Sequence, residues 1–480
     1  LPNDKFKVKQ EYILKAQPLI APIMHRVDVY QHYFFVPLRL IWDNFEKFIT
    51  GGEDGLQTAE MPFITTSLIA SLSDKHLVDL LGYPTDVASG PVTDTGKFSS
   101  LRLRAYNLII NEFFRDQNLQ DELPNSKEDG SDNSRINCEL FNRCWKKDYF
   151  TSALPFPQRG EAVGIPYSGG TIELDNTKHQ QMINGSGAIL GSGTVNAWRP
   201  VAEAPAMIGV NNQSANLDPN GSLKVGGDLF ISIDDFRRAS RLQIWLEKNA
   251  RAGARYVEQI ASHFGIHPSD YRLQRPQYLG GGKQPFVISE VVQTSTTEDG
   301  STTTTPQGNQ AGLGSGYANQ FVFKETFEEH GIIIGLMSVL PKSSYQQGVS
   351  RHLTKFDKFD FAFPEFGNLG EQEIYNKELC YIQGNDEYNN SLFGYQSRYA
   401  EYKYNPDEVH GDFKDSLSYW HLGRIFDKDN PPALNSDFVK ALPDKRVFAV
   451  ETQEEDCLLF DVYNDVTAVR ALPAYGTPTL

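Results

Sequence analysis

The chain has 480 residues and a formal net charge of −16, which excludes both a single small domain and a surface that binds nucleic acid throughout. Hydrophobic residues make up 40% and charged residues 22%, a composition typical of chains that fold around a core. Four cysteines in this length exclude the disulfide framework of small secreted domains. The longest apolar run, residues 331–340, is about half of a membrane span, so we predict no such span. The sequence starts at Leu1 with no signal-peptide pattern, and we expect further residues to precede it.

The first third of the chain predicts one strand and two helices. Residues 27–37 are β-branched and aromatic and end in a proline, which predicts a strand. Apolar residues at helical spacing in 41–48 predict a short helix that a glycine pair terminates. A longer helix is predicted over 99–117, with Ser99 or Ser100 as its N-cap.

Residues 160–228 differ in composition from the rest of the chain. They contain 12 Gly and 7 Asn and no long periodic segment, so they are too irregular for a core element and too long for an ordinary connection. We therefore predict a loop-rich insertion.

The segment that follows the insertion predicts a basic amphipathic helix over 234–252. Five apolar residues at helical spacing are expected to form its buried face: Phe236, Ala239, Leu242, Leu246 and Ala250. The basic residues that form a candidate site are Arg237, Arg238, Arg241, Arg251 and Arg255. Two interpretations stay open. The arginines could be a solvated face paired with nearby carboxylates, or a positive surface for phosphate or for an acidic neighbouring subunit.

The second half of the chain predicts strands that are far apart in sequence. Strand-like runs occupy 285–294, 319–327, 331–341, 446–452 and 457–473, separated by polar turns and by a Ser/Thr-rich loop. This pattern predicts a mainly β protein, a sandwich with long inserted loops.

No segment matches a motif for catalysis or for metal binding. The segment 90–97 misses the spacing of a phosphate-binding loop, and His263 and His267 lack the other residues of a metal site. The calcium-like segment at 216–221 lacks the final bidentate carboxylate. We predict no catalytic residue, no metal and no cofactor.

Eight segments in matching order resemble the major capsid proteins of the Microviridae, and among them the gokushovirus branch of single-stranded DNA bacteriophages. These segments are HYFFVP, FITGGEDG, RLQRPQYLGGG, LPKSSYQQG, FPEFGNLGEQEIYNKELC, FGYQSRYAEYKY, YWHLGR and PPALNSDF. The resemblance implies one domain over 1–480, an eight-stranded antiparallel jelly-roll β-sandwich with large loop insertions and a few helices. It also implies a structural protein, not an enzyme, which assembles through pentamers into a T=1 icosahedral virion shell of about sixty copies.

The resemblance further implies partners. These are a packaged circular single-stranded DNA, a small basic DNA-packaging protein, a minor pilot protein and a host surface receptor, with assembly in the bacterial cytoplasm. Because the subunit is acidic, most neutralisation of the genome is expected to come from the basic partner or from residues before Leu1. The insertion 160–228 is expected to form a protrusion at the three-fold axes for host attachment, with these candidate residues: Asn184, Asn196, Asn211, Asn212, Asp218 and Asn220. The alternative is an extracellular carbohydrate-active β-sandwich enzyme or binding module, which would be a small oligomer.

Overall fold

The computed structural model describes residues 1–86, 96–161, 163–164, 171–174, 182–183, 216–217, 223–226, 233–292, 310–449, 456–470 and 472. The chain divides into two compact units. The first consists of Leu1–Arg159 and Glu247–Leu480, and the second of Gly160–Leu246. The six candidate attachment residues, Asn184 to Asn220, lie outside the described residues.

Strands carry most of the regular structure of the first unit. They are β1 (Lys5–Ala16), β2 (Val27–Pro37), β3 (Phe63–Thr65), β4 (Lys97–Ser99), β9 (Gln277–Val292), β10 (Gln310–Thr326), β11 (Gly331–Pro341), β12 (Ser344–Tyr345), β13 (Glu371–Tyr375), β14 (Leu392–Ser397), β15 (Asp407–Glu408) and β16 (Leu458–Val469). In the second unit, β5 (Thr171–Leu174) pairs with β8 (Leu223–Gly226), and β6 (Met182–Ile183) pairs with β7 (Asn216–Leu217).

The helices are mostly short. They are α1 (Leu38–Ile41), α2 (Phe45–Thr50), α3 (Thr66–Ser71), α4 (His76–Leu80), α5 (Leu101–Ile109), α6 (Ile233–Ala252), α7 (Tyr256–Phe264), α8 (Asn376–Leu379), α9 (Asp386–Asn390) and α10 (Ser436–Val439). The helix predicted over 99–117 starts as expected but becomes a π-helix at Ile110–Phe114. No described helix has the length and apolar character to cross a membrane.

One antiparallel sheet organises the first unit, with strand order β11-β2-β9-β10-β1-β16. The long strand β9 pairs with β2 through residues 277–286 and with β10 through residues 287–292. It therefore belongs to two layers, one formed with β2 and β11 and the other with β10, β1 and β16. The predicted mainly β, antiparallel jelly-roll class is confirmed. The described residues place six strands in this sheet, and the count of eight stays a prediction.

The strand β1 shows why these layers face each other. In its sequence KFKVKQEYILKA every second residue is buried, including Val8, Tyr12 and Leu14, while the intervening side chains point outward. Tyr12 and Leu14 pack with Val29 of β2 and Phe286 of β9 in a shared core between the layers, and Val8 packs in a neighbouring cluster with Tyr33 of β2. Burial of one face of each layer is the main stabilisation of such a sandwich.

Two features hold the layers in register. The first is a row of glycines in β10: a side chain at Gly314 would overlap the ring of Phe286, and one at Gly316 would lie 3.3 Å from it. The missing side chains leave room for the Phe286 ring inside the core. The second is a hydrogen bond across the layers, from the Tyr33 hydroxyl to Asn464 Oδ1 at 2.7 Å.

A second core surrounds α5 and contains a buried ion pair. The guanidinium of Arg104 donates to both oxygens of Asp132 at 2.8 Å, and both side chains are 0% exposed. Arg104 also donates to the carbonyls of Ile41 and Glu128. Ser100 is the N-cap residue as predicted, but its side chain makes no cap hydrogen bond; its hydroxyl contacts Asp132 instead.

Two sequence predictions about elements were wrong. Residues 446–449 form no strand, only an isolated bridge from Phe448 to Leu19. In α6 only Ala250 of the predicted apolar face is buried, whereas Phe236 and Leu242 are exposed. The four cysteines are free thiols, and Cys138 and Cys380 are buried.

Candidate functional site

A loop over residues 353–369, which we call the aromatic loop, exposes several large apolar side chains. Phe356 is 92% exposed and Leu353 72%, and three further aromatic rings are also exposed: Phe359, Phe361 and Phe363. The rings of Phe359 and Phe363 pack edge-on against Phe366, at centroid distances of 5.8 and 6.2 Å. An exposed apolar surface of this kind marks a contact with another molecule.

A buried ion pair anchors the base of the aromatic loop. Lys355 Nζ lies 2.9 Å from Glu401 Oε1, and both side chains are almost fully buried. Gln372 donates to the other carboxylate oxygen at 2.8 Å, and the ammonium lies over the Tyr402 ring. Burial alone would raise the pKa of Glu401, but the hydrogen bonds from Gln372 and Lys355 bring that pKa below its usual value. The carboxylate is therefore ionised and fixes the start of the loop.

A second buried group lies beside the first. Glu378 accepts from the Tyr149 hydroxyl at 2.8 Å and pairs with Arg351 at 3.1 Å. Burial raises the pKa of Glu378, and Arg351 opposes this only in part. These side chains position the loop, because their hydrogen bonds and charges are paired within the fold.

The five candidate arginines do not form one patch. Arg251 pairs with Glu371 and donates to Gln396 at 2.6 Å, and Arg255 donates to Glu258 and to the carbonyl of Asn111. Both guanidinium groups are thus paired with carboxylates of the first unit. Because their charges are neutralised there, they are unsuitable for an anionic ligand.

The other three arginines, in the second unit, are exposed. Arg237 lies 3.7 Å from Asp234, one helical turn away, and Arg238 and Arg241 point to solvent. An exposed pair of this type contributes little to stability. Whether these arginines contact phosphate stays a prediction.

A basic surface that the sequence analysis did not identify lies on the outer face of β1 and its neighbours. We call it the lysine face; its lysines are Lys5, Lys7, Lys9, Lys15 and Lys324, and its aromatic residues are Tyr317, Phe321 and Tyr463. The signal was present in the sequence, because β1 carries a lysine at positions 5, 7 and 9, the period of a strand.

The described residues contain no group of three or more His, Cys, Asp or Glu side chains arranged to hold a metal ion. His263, one of the two histidines weighed as ligands, lies 2.6 Å from Asn249 Oδ1 through Nε2.

Comparison with known proteins shows the family of the chain. The family described as "Capsid protein (F protein)" matches residues 1–480. The chain belongs to this capsid protein family. Capsid protein VP1 of Bdellovibrio phage phiMH2K is 36% identical over all of this chain and 90% of its own length. Capsid protein VP1 of Chlamydia phage 1 is 34% identical, over all of this chain and 91% of its own length, and that of Spiroplasma virus 4 is 32% identical, over all of this chain and 90% of its own.

The resemblance to Microviridae capsid proteins is therefore confirmed. The chain is a structural capsid protein and a virion component, not an enzyme, and the carbohydrate-active alternative has no support. Membership of a capsid family implies self-assembly into a shell. The exposed aromatic loop is a surface that such assembly can bury.

Proposed function

We propose that the chain assembles through pentamers into a T=1 icosahedral shell of about sixty copies around a circular single-stranded DNA genome. The observation that carries this proposal is the aromatic loop. Each buried Phe removes about 150–250 Å² from water, so the exposed rings supply several kcal/mol of association energy when a neighbouring subunit covers them.

The remaining partners belong to the same proposal. A subunit with a net charge of −16 does not neutralise a genome by itself, which supports a small basic packaging protein inside the shell. A minor pilot protein and a host surface receptor complete the set, and assembly takes place in the bacterial cytoplasm. The segment 160–228 forms the three-fold protrusion for host attachment, within one domain spanning 1–480.

Arg237, Arg238 and Arg241 are proposed to contact DNA or a neighbouring subunit. Their exposure supports this role, and Arg251 and Arg255 are left out of it because they pair internally. Replacement of the three by Gln should reduce either assembly or DNA retention at raised salt. If both are unchanged, the three arginines are only a solvated face.

Assembly through the aromatic loop is tested by Phe356→Ser combined with Phe361→Ser. Both rings are exposed in the single subunit, so the variant should fold but remain unassembled in gel filtration and negative-stain images, whereas the parent chain forms pentamers or shells. Glu365→Ser, an exposed polar change in the same loop, is the matched control and should assemble normally. Normal shells from the double variant would contradict the role of the loop.

A further inference from the structure

We propose that the lysine face binds single-stranded nucleic acid, and thus forms a lining of the shell that contacts the genome. The inference rests on the proposed capsid function and adds a defined binding surface to it. It is carried by the pattern of charge and aromatic rings on the outer side of β10, β1 and β16.

The five lysines of this face are all exposed. None of them forms an ion pair with any residue that the structure describes. The register places Lys7 directly opposite Lys324, an arrangement of like charges that destabilises a sheet unless an anion lies between them. A phosphate bound there would relieve this repulsion.

The acidic residues of the same face are fewer and lie in its middle rows, where Asp465 stands directly opposite Lys9. Glu11, Asp461 and Asp465 point outward on β1 and β16, and Glu11 is already hydrogen-bonded by Asn319. The rows that contain Lys5 and Lys7 hold no carboxylate on the outer face. That end of the face is positive although the chain as a whole is strongly acidic.

Three exposed aromatic rings lie on the same face as the lysines. Tyr317 is 65% exposed, Phe321 56% and Tyr463 62%. Phe321 stands opposite Lys9, and Tyr317 and Tyr463 occupy the next two rows on either side of β1. Rings of this exposure on a sheet surface offer platforms on which bases stack, while neighbouring lysines bind the backbone.

The spacing of the lysines suits an extended single strand. Successive outward residues of a strand are about 6.8 Å apart, so Lys5, Lys7 and Lys9 form an evenly spaced row of cations along β1. A duplex would keep its bases away from the rings, and an acidic protein surface has no bases to stack on them. The combination of the two features therefore favours single-stranded nucleic acid.

The test uses the full chain and a fluorescent oligothymidylate of about 16 nucleotides, with binding measured by anisotropy over a range of salt concentrations. Replacement of Lys7, Lys9 and Lys324 by Gln should lower the slope of log affinity against log salt by about 2, since each phosphate contact on a single strand contributes about 0.7. Lys47, Lys127 and Lys428, three exposed lysines elsewhere, changed together to Gln give the same change of net charge and should leave the slope nearly unaltered.

The aromatic part of the proposal has its own variant. Phe321→Thr should weaken binding by about fivefold to a hundredfold with little change in the salt slope, because it removes stacking and not charge. Phe264→Thr, which removes an exposed ring of α7 that lies outside both the lysine face and the aromatic loop, is its control and should bind as the parent chain does.

Two outcomes overturn the proposal while leaving the capsid function intact. One is an equal decrease in the slope of log affinity against log salt for the two triple-lysine variants. The other is a Lys7, Lys9 and Lys324 variant that binds normally but fails to form shells in negative-stain images, which would make the face a contact between subunits. Failure of the parent chain to assemble at all would instead contradict the proposed shell, whatever the oligonucleotide shows.

Discussion

At the scale of single residues, the fold depends on polar side chains that are fully buried and fully paired. Arg104 satisfies Asp132 and two backbone carbonyls at once, which no apolar residue could do. The sequence predicted the helix that carries Arg104 but not the burial of the residue, because arginine is seldom buried and its partner Asp132 is 28 residues away. Pairing of this kind is visible only once the tertiary structure is known.

Arg104→Ala is expected to lower the free energy of unfolding by about 3–5 kcal/mol, because it leaves Asp132 buried with only the partly exposed Arg135, 3.8 Å away, as a counter-charge. Arg104→Lys should recover only part of this, since an ammonium cannot reach all of the acceptors. Urea denaturation of the unassembled subunit measures both. Arg102→Ala, an exposed arginine of the same helix, should cost less than about 1 kcal/mol, and a similarly small cost at Arg104 would contradict the role of the pair.

His421 links stability to pH. Its Nε2 lies 2.8 Å from the Phe413 carbonyl, and its Nδ1 lies 3.0 Å from the backbone N–H of Gly423. Only a neutral ring with its proton on Nε2 satisfies both bonds, because Nδ1 must accept. Burial lowers the pKa of His421, with a smaller lowering from Arg446 and an opposing effect of the Phe413 hydrogen bond.

Because the folded pKa of His421 lies below its unfolded value, the unfolded state takes up the proton first as the pH falls. The contribution to stability is therefore complete above about pH 6.5 and is lost below it. His421→Gln should show a smaller loss of unfolding free energy between pH 7.5 and pH 5.5 than the parent chain. His267→Gln, at an exposed site, should retain the parental loss; identical pH profiles for His421→Gln and the parent would exclude this linkage.

At the scale of elements, the strands that sequence patterns predicted best are those with apolar and β-branched runs. β2 and β11 were predicted with nearly their observed bounds. The first halves of β9 and β10 were not, because their glycines indicate turns in a sequence and serve close packing here. The strand β1 was missed because its alternating lysines make it look polar, although one of its faces is buried.

The glycines of β10 give a prediction at this scale. Gly314→Ala should destabilise the subunit by about 1–3 kcal/mol, because the added methyl overlaps the Phe286 ring and lies 2.9 Å from Ala16 Cβ. This loss is opposite to the gain that alanine normally gives over glycine in a strand. Urea denaturation of Gly314→Ala, of Phe286→Leu and of the variant that combines them gives the coupling free energy between the two positions.

In the double variant the smaller Leu side chain should restore part of the lost stability. Ser315→Ala, at the adjacent outward-facing position, is the control and should be nearly neutral. Independent effects of the two core substitutions would contradict direct contact between the two positions.

At the scale of the whole molecule, the chain consists of a β-rich unit and the separate unit Gly160–Leu246. The candidate site could be predicted from the sequence only in part: a family was identified, but the aromatic loop and the lysine face arise from exposure and strand register. The lysine spacing of β1 indicates one row of that face, but the exposure of the aromatic loop and the residues that neighbouring strands add to the lysine face follow only from the tertiary structure. The arginines of α6 show the converse, because a basic run in sequence became two groups with different partners.

Deletion of residues 160–228 is expected to leave assembly intact and to abolish adsorption to the host. The reason is that this segment falls within a compact unit of its own, so its removal spares the contacts of the β-rich unit. Negative-stain imaging measures assembly and a cell-binding assay measures adsorption. Alanine at Asn184, Asn196, Asn211, Asn212, Asp218 and Asn220 gives a milder variant, and loss of shells in both variants would contradict an attachment role.

The register of β1 has a consequence for biosynthesis. Lys5 pairs with Val469 of β16 and with Thr326 of β10, so the partners of β1 are synthesised hundreds of residues after it. At about 5–20 residues per second, the ribosome needs roughly 20–90 s to supply β16 after β1. During that time the apolar side of β1 is uncovered and its backbone edges are unpaired. The native sheet can thus be completed only after β16 has been synthesised.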